Sequence, residues 1–196
     1  MFTIIPCAAG CGRPAITGIN LCSVHQANPE QEYIRICDCI KENAVIKDLC
    51  VSGMRFENFD FSNHHFYGCN FIEASFINCD FSKVKIKMSF FDFAGFVNCY
   101  FPNSDIQFLS FAGAGLYGCR FNDCEVVHSN FTGASIKDTV YRNSNLYNSR
   151  FISADLIKAS FINCNLKRVH FAKSKREDVV FKSSNTAETL NETEER

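Results

Sequence analysis

Between Ile46 and Phe171 every fifth residue is apolar or aromatic, and this ladder constrains the chain more than any other feature. It runs Ile46, Val51, Phe56, Phe61, Phe66, Phe71, Phe76, Phe81, Ile86, Phe91, Phe96, Phe101 and Ile106. It continues Phe111, Leu116, Phe121, Val126, Phe131, Ile136, Tyr141, Leu146, Phe151, Leu156, Phe161, Leu166 and Phe171. A period of five fits neither the 3.6 of a helix nor the 2 of a strand, so the segment reads as a repeat architecture. Two positions before the centre the chain prefers a small residue. Of the 22 such positions from Cys69 to Ser174, only Leu109 is not Ala, Ser, Thr, Cys or Val.

Residues 20 apart match better still. Ala74, Ala94, Ala114, Ala134 and Ala154 form one column, and Cys79, Cys99 and Cys119 begin another. Among the centres, Phe71, Phe91, Phe111, Phe131, Phe151 and Phe171 are all Phe, and Phe61, Phe81, Phe101, Phe121, Tyr141 and Phe161 are all aromatic. Four fives per turn predict a four-sided coil, with rings stacked one strand spacing apart, about 4.8 Å. The stacked cysteines are expected as reduced core thiols, since parallel side chains lack disulfide geometry.

Asp or Asn often precedes the centre, as at Asp60, Asn70, Asp80, Asp105, Asn130, Asn145, Asp155 and Asn165. Units such as Glu73-Ala74-Ser75-Phe76-Ile77 and Ser153-Ala154-Asp155-Leu156-Ile157 resemble the pentapeptide-repeat family, whose motif is A(D/N)LXX. The resemblance spans residues 44–181. It implies an all-β fold, a right-handed quadrilateral β-helix (a solenoid) of about seven coils, roughly 33 Å tall by strand spacing.

The first 27 residues differ in kind. Cys7, Cys11, Cys22 and His25 form a C-x3-C-x10-C-x2-H array, with Gly10, Gly12, Pro14 and Gly18 supplying turns. Three thiolates and an imidazole make a closed tetrahedral set for structural zinc, and a segment this short needs such a staple. It resembles the small zinc knuckles of various bacterial proteins, through Gly10-Cys11, Pro14, Cys22 and His25. Residues 28–43 then open with Asn28-Pro29-Glu30-Gln31, a capping-box start, and Tyr33, Ile36, Cys37 and Ile40 recur at helical spacing. A short helix over 29–42, capping the first coil, is expected. Beyond Phe181 the stripe ends, so residues 182–196 are expected to be a disordered tail.

Charge excludes some functions. The net charge is −1, and residues 44–181 carry 15 basic and 13 acidic groups, so no strongly charged field is expected to attract nucleic acid or membrane. The start, Met-Phe-Thr-Ile-Ile-Pro, lacks the form of a secretory signal, and no apolar run is long enough to span a bilayer. Twelve cysteines in such a chain point to the reducing cytoplasm. No nucleophile with a base and no phosphate loop is present, so no enzyme is expected.

Function is left to the outer surface. The register places Met88, Phe90, Phe93, Tyr100, Phe108 and Tyr117 outward, and clustered outward aromatics mark an interaction site. The leading expectation is a non-enzymatic cytoplasmic interaction scaffold, docking a protein partner or a second copy of itself. The family resemblance implies an alternative: DNA mimicry, with binding to DNA gyrase or another topoisomerase and protection from quinolones or toxins. Mimicry needs an acidic wall, which the near-neutral repeat does not supply.

Overall fold

The computed structural model describes residues 4–190. They form one short helix, α1 (Pro29–Glu42), and a stack of three-residue strands paired in parallel with residues 20 positions on. Each coil has four walls, named here for their inward centres. Wall 1 carries Ile46, Phe66, Ile86 and onward; wall 2 Val51, Phe71, Phe91; wall 3 Phe56, Phe76, Phe96; wall 4 Phe61, Phe81, Phe101. Wall 3 is the deepest sheet, seven strands from Arg55–Glu57 to Lys175–Glu177. Wall 2 is held by single bridges such as Asn70↔Phe90 and Arg150↔His170.

The centres are buried throughout. Wall 2 stacks Phe91, Phe111, Phe131 and Phe151 at 5.2, 4.8 and 4.7 Å, with planes within 12° of parallel. Each ring removes on the order of 150–250 Å² from water. A narrow column with little helix is therefore stabilised chiefly by its aromatic axis.

Every corner turns through the left-handed region, two residues past the centre. The non-glycine corner residues of the walls have φ between +51° and +61°. The Asp or Asn before a centre braces the turn: Asp60, Asn70, Asp80 and Asn130 each accept from the N–H two residues on.

The small residue next in line has a role beyond size. On wall 2 the turn closes on itself, and the N–H groups of Ala74, Ala94 and Ala114 donate to Phe71, Phe91 and Phe111, each at 3.0 Å. Alanine suffices there. At several other corners the small residue's N–H lacks that bond, and a hydroxyl from the next coil accepts it. Ser144 Oγ accepts from Cys124 N–H at 3.1 Å and reaches the carbonyl of Phe121 at 3.1 Å. Ser149 does the same between Ser129 and Val126, and Thr139 between Cys119 and Leu116. The closed turn also changes place: it ends wall 4 at Phe61–His64 and Phe81–Val84, and wall 1 at Leu146–Ser149 and Leu166–Val169. The wall 4 column changes with it, from His64 and Val84 to Cys124, Ser144, Cys164 and Ser184.

All cysteines among the described residues are free thiols. Burial pushes Cys69 and Cys124 up to about 12, so they stay protonated.

The N-terminal end is covered twice. Ile36, Cys37 and Ile40 of α1 are buried on the first coil, and Tyr33 lies 5.8 Å from Phe56, ring to ring. The expected capping box is not made: Asn28 offers no side-chain cap and donates instead to Gln31 Oε1 at 3.3 Å. The helix start is exposed, where water satisfies its N–H groups equally well. The Cys/His segment then supplies what the first coil of wall 2 lacks. Thr17 N–H donates to Cys50 O at 3.0 Å, Cys50 N–H donates to Thr17 Oγ1 at 2.7 Å, and Ile16 joins the main core.

At the other end the expected tail is corrected. Val180–Lys182 is a strand, Thr186–Glu188 a 3-10 turn, and Leu190 bridges His170. The coil below leaves N–H groups facing out of the stack, and this polar segment supplies their acceptors. Arg168 N–H donates to Glu188 O, and Phe171 N–H to Leu190 O, both at 2.9 Å. An apolar stripe was the wrong criterion for order here. The rest of the expected tail, 191–196, lies outside the described residues. Arg176 replaces an apolar centre, its guanidinium lying 5.2 Å from the Phe171 ring.

Candidate docking surface and metal-binding segment

Four of the six outward residues come together. Met88 and Phe108 succeed each other at the corner between walls 1 and 2, Phe90 lies on wall 2, and Phe93 occupies the corner between walls 2 and 3. Met88, Phe93 and Phe108 are 57%, 68% and 54% exposed, while Phe90 is half-buried. The other two do not join them. Tyr117 stands on wall 3, above Ile77 and Val97, and Tyr100 on wall 4, the opposite side of the column, with Arg120 5.6 Å from its ring. The separation follows from the register: 12 residues, from 88 to 100, carry the chain round more than half of a coil.

The three exposed corner residues have left-handed φ: +51° at Met88, +58° at Phe93 and +56° at Phe108. Among the described residues they are the only apolar non-glycine residues so placed; Asn, Asp, Lys and Ser take most of the others. Such a backbone costs a bulky residue on the order of 1 kcal/mol. Part of the Phe93 ring is accommodated by Gly113 on the next coil, where an added Cβ would lie 2.5 Å from Cε1.

The corner column continues into groups that the six-residue cluster leaves out. His128 stacks on Phe108 at 5.0 Å and 4°, and meets Tyr147 edge-on at 5.6 Å. Asn148 Nδ2 donates to His128 Nδ1 at 2.9 Å, which leaves Nε2 as the protonated nitrogen. A hollow of about 210 Å³ opens beside them, lined by Phe108, His128, Ser129, Asn130, Asn148 and Arg150. Stepping by 20 from Met88 would have found this column.

The four residues of the Cys/His array also converge. A hairpin closed by Cys7 N–H to Arg13 O and Ala15 N–H to Ile5 O presents Cys7 and Cys11, with Gly10 and Gly12 at left-handed φ in its tip. A tight turn brings Cys22 and His25 together, His25 N–H donating to Cys22 O at 3.1 Å. All four ligand atoms lie within 4.8 Å of one another. A tetrahedral ion with bonds of about 2.3 Å to sulfur and 2.05 Å to nitrogen sets edges of about 3.8 Å between sulfurs and about 3.6 Å from sulfur to nitrogen. The Cys11–Cys22 separation is 3.7 Å, Cys7–His25 3.6 Å and Cys22–His25 3.5 Å. The set can therefore hold a metal ion, with protein atoms in all four positions. Burial raises the Cys7 thiol, but the N–H groups of Cys22 and Ala9 and the His25 ring outweigh it and bring it down to about 6. Donors are thus aimed at a thiolate before any ion enters.

Comparisons with known proteins agree with the architecture. The profile for pentapeptide repeats (8 copies) matches residues 52–87, and that for the pentapeptide repeat region matches 114–190. No curated protein matches the sequence significantly. Among solved structures, a trypsin-treated form of QnrB1, a plasmid-mediated fluoroquinolone resistance protein, is similar with a TM-score of 0.53 at 18% identity. The match covers 72% of this chain and 88% of that one. HetL, a pentapeptide repeat protein involved in heterocyst differentiation regulation from the cyanobacterium Nostoc sp. strain PCC 7120, is matched at 10% identity and a TM-score of 0.38. That match covers 82% of this chain and 96% of HetL. With its four-walled column, its small-residue turns and both profile matches, the chain belongs to the pentapeptide-repeat family, the right-handed quadrilateral β-helix its repeat implies.

Proposed function

We propose that this protein is a non-enzymatic cytoplasmic scaffold that docks a protein partner through Met88, Phe90, Phe93 and Phe108, with a structural zinc ion stapling the segment that closes its N-terminal end. One observation carries the docking reading. Three bulky apolar side chains sit at left-handed corners, exposed to water, where the fold prefers Asn. Strain and exposure both work against folding there, so the residues are explained by something outside the fold. For the metal, the near-tetrahedral separations and the softness of three thiolates favour zinc.

The test replaces Met88, Phe93 and Phe108 together by Asn. The variant should keep or raise the melting temperature and lose the partner that wild type retains on affinity capture from the native cell. An unchanged set of captured proteins would remove the patch from consideration.

Topoisomerase binding is the second reading, favoured by the fold shared with QnrB1. Charge weighs against it: wall 4 opens with Asp60 and Asp80 but continues with Arg120 and Arg142, so this wall imitates no run of phosphates. Gyrase supercoiling assayed in a fluoroquinolone, with and without the protein, separates the readings. Restored supercoiling would favour this one.

A further inference from the structure

Wall 2 changes character along its length. Its lower coils carry the aromatic corner residues, and its upper coils carry Arg150 and His170 on the wall, with Arg168 and Lys173 at the two flanking corners. Arg150, Arg168 and Lys173 are exposed. Among the described residues, from Phe108 to Lys173, no carboxylate stands on this wall or at either corner. Two acids flank this stretch, and both have partners. Asp92, at the aromatic end, accepts from Ser110 Oγ at 2.5 Å. Glu188, one coil beyond Arg168, is held by Lys167 at 3.2 Å and Asn185 at 3.1 Å.

Between the two ends lies the hollow beside His128, and its polar groups are largely donors. His128 presents Nε2–H, and Asn130 uses its Oδ1 to accept from Thr132, leaving its amide NH₂; Arg150 completes the rim. A surface that is apolar at one end, donor-rich in the middle and cationic at the other is complementary to an apolar residue, a run of backbone carbonyls and a group of carboxylates. From the coil of Phe108 to that of Arg168 is three coils, about 14 Å. An extended peptide covers that in about four residues.

We infer that wall 2 takes an extended acidic peptide of its partner. The peptide seats an apolar residue against Phe93 and Phe108 and carboxylates against Arg150, Arg168 and Lys173. This rests on the reading of the aromatic corner as a docking surface, and names the chemistry of what docks. A polynucleotide fits less well, because the cations are confined to two coils at one end and do not track a backbone along the column.

The test is fluorescence anisotropy on the full chain with three labelled probes. One is a 12-residue peptide bearing two phenylalanines and, four residues on, three glutamates. The second has those glutamates replaced by glutamine, and the third is a 12-nucleotide oligothymidine. The acidic peptide should bind at least about tenfold more tightly than the glutamine peptide, equivalent to about 1.4 kcal/mol. The variant Arg150→Glu/Arg168→Glu/Lys173→Glu should abolish that preference without lowering the melting temperature. Equal binding of the two peptides, or tighter binding of the oligonucleotide, overturns the inference. Partner capture lost in the triple-Asn variant would then still support docking, whereas failure of both experiments overturns both.

Discussion

The wall 4 column contains one phenol among phenylalanines, and removing its oxygen should stabilise the protein. Tyr141 is stacked between Phe121 at 4.8 Å and Phe161 at 5.0 Å, with planes 11° and 2° from parallel. Its residue is fully buried, and its hydroxyl meets no protein donor or acceptor. Burial, with the neighbouring Cys119, Cys164 and Cys124, holds the phenol well above its ordinary range, so it stays neutral. A buried hydroxyl without a partner costs about 1–3 kcal/mol. The ring needs no repacking in Tyr141→Phe, because Phe occupies the same place one coil above and below. The full desolvation cost should be recovered. For a chain of this length about 2–4 °C accompanies each kcal/mol, so the melting temperature should rise by roughly 2–12 °C. The urea midpoint should rise with an unchanged slope. Phe121→Tyr, which adds a second such hydroxyl, should move both quantities the other way. A fall in stability for Tyr141→Phe would show that the hydroxyl is satisfied in solution and would refute the reasoning.

Phe111→Ala removes a ring stacked on both sides and should cost about 3–5 kcal/mol, read from the shift in denaturation midpoint. Ser144→Ala leaves the N–H of Cys124 and the carbonyl of Phe121 without their bridging hydroxyl and should cost about 1–3 kcal/mol in the same assay. Wild type should carry one zinc per chain by elemental analysis, Cys22→Ser should lower that content, and strong chelators should loosen residues 5–25 in hydrogen exchange before the column. Zinc-free protein with unchanged protection over 5–25 would count against a stapling role.

The inward half of this structure was legible because the same test repeats at every fifth residue, and one slip would have turned a Phe outward. The cross-section was legible for the same reason, since alanines and phenylalanines recur at 20. The serines and threonines at small positions were read only by size. Their hydrogen bonds join backbone groups 20 and 23 residues apart, which no local motif announces. Tyr100 was grouped with the aromatic corner residues, yet nearness along a solenoid chain is not nearness on its surface. The order of residues 183–190 was missed because their carbonyls accept from the N–H groups of an exposed edge, a backbone property that composition does not record. The metal ligands were identifiable by type and spacing, whereas their convergence to within 4.8 Å of one another needed coordinates.

Burial of a centre repeats every five residues and the identity of a wall only every twenty, and this separates two kinds of inheritance. Loss or duplication of a whole coil lengthens or shortens each wall and leaves its composition in line. Loss of a single pentapeptide keeps every centre buried, yet rotates everything beyond the cut by a quarter turn. The aromatic corner at Phe108 would then stand below a different wall from Arg150, in a molecule whose axis remained filled. Such a chain could fold and still have lost its surface. Selection on burial reads this protein in fives, and selection on recognition must read it in twenties.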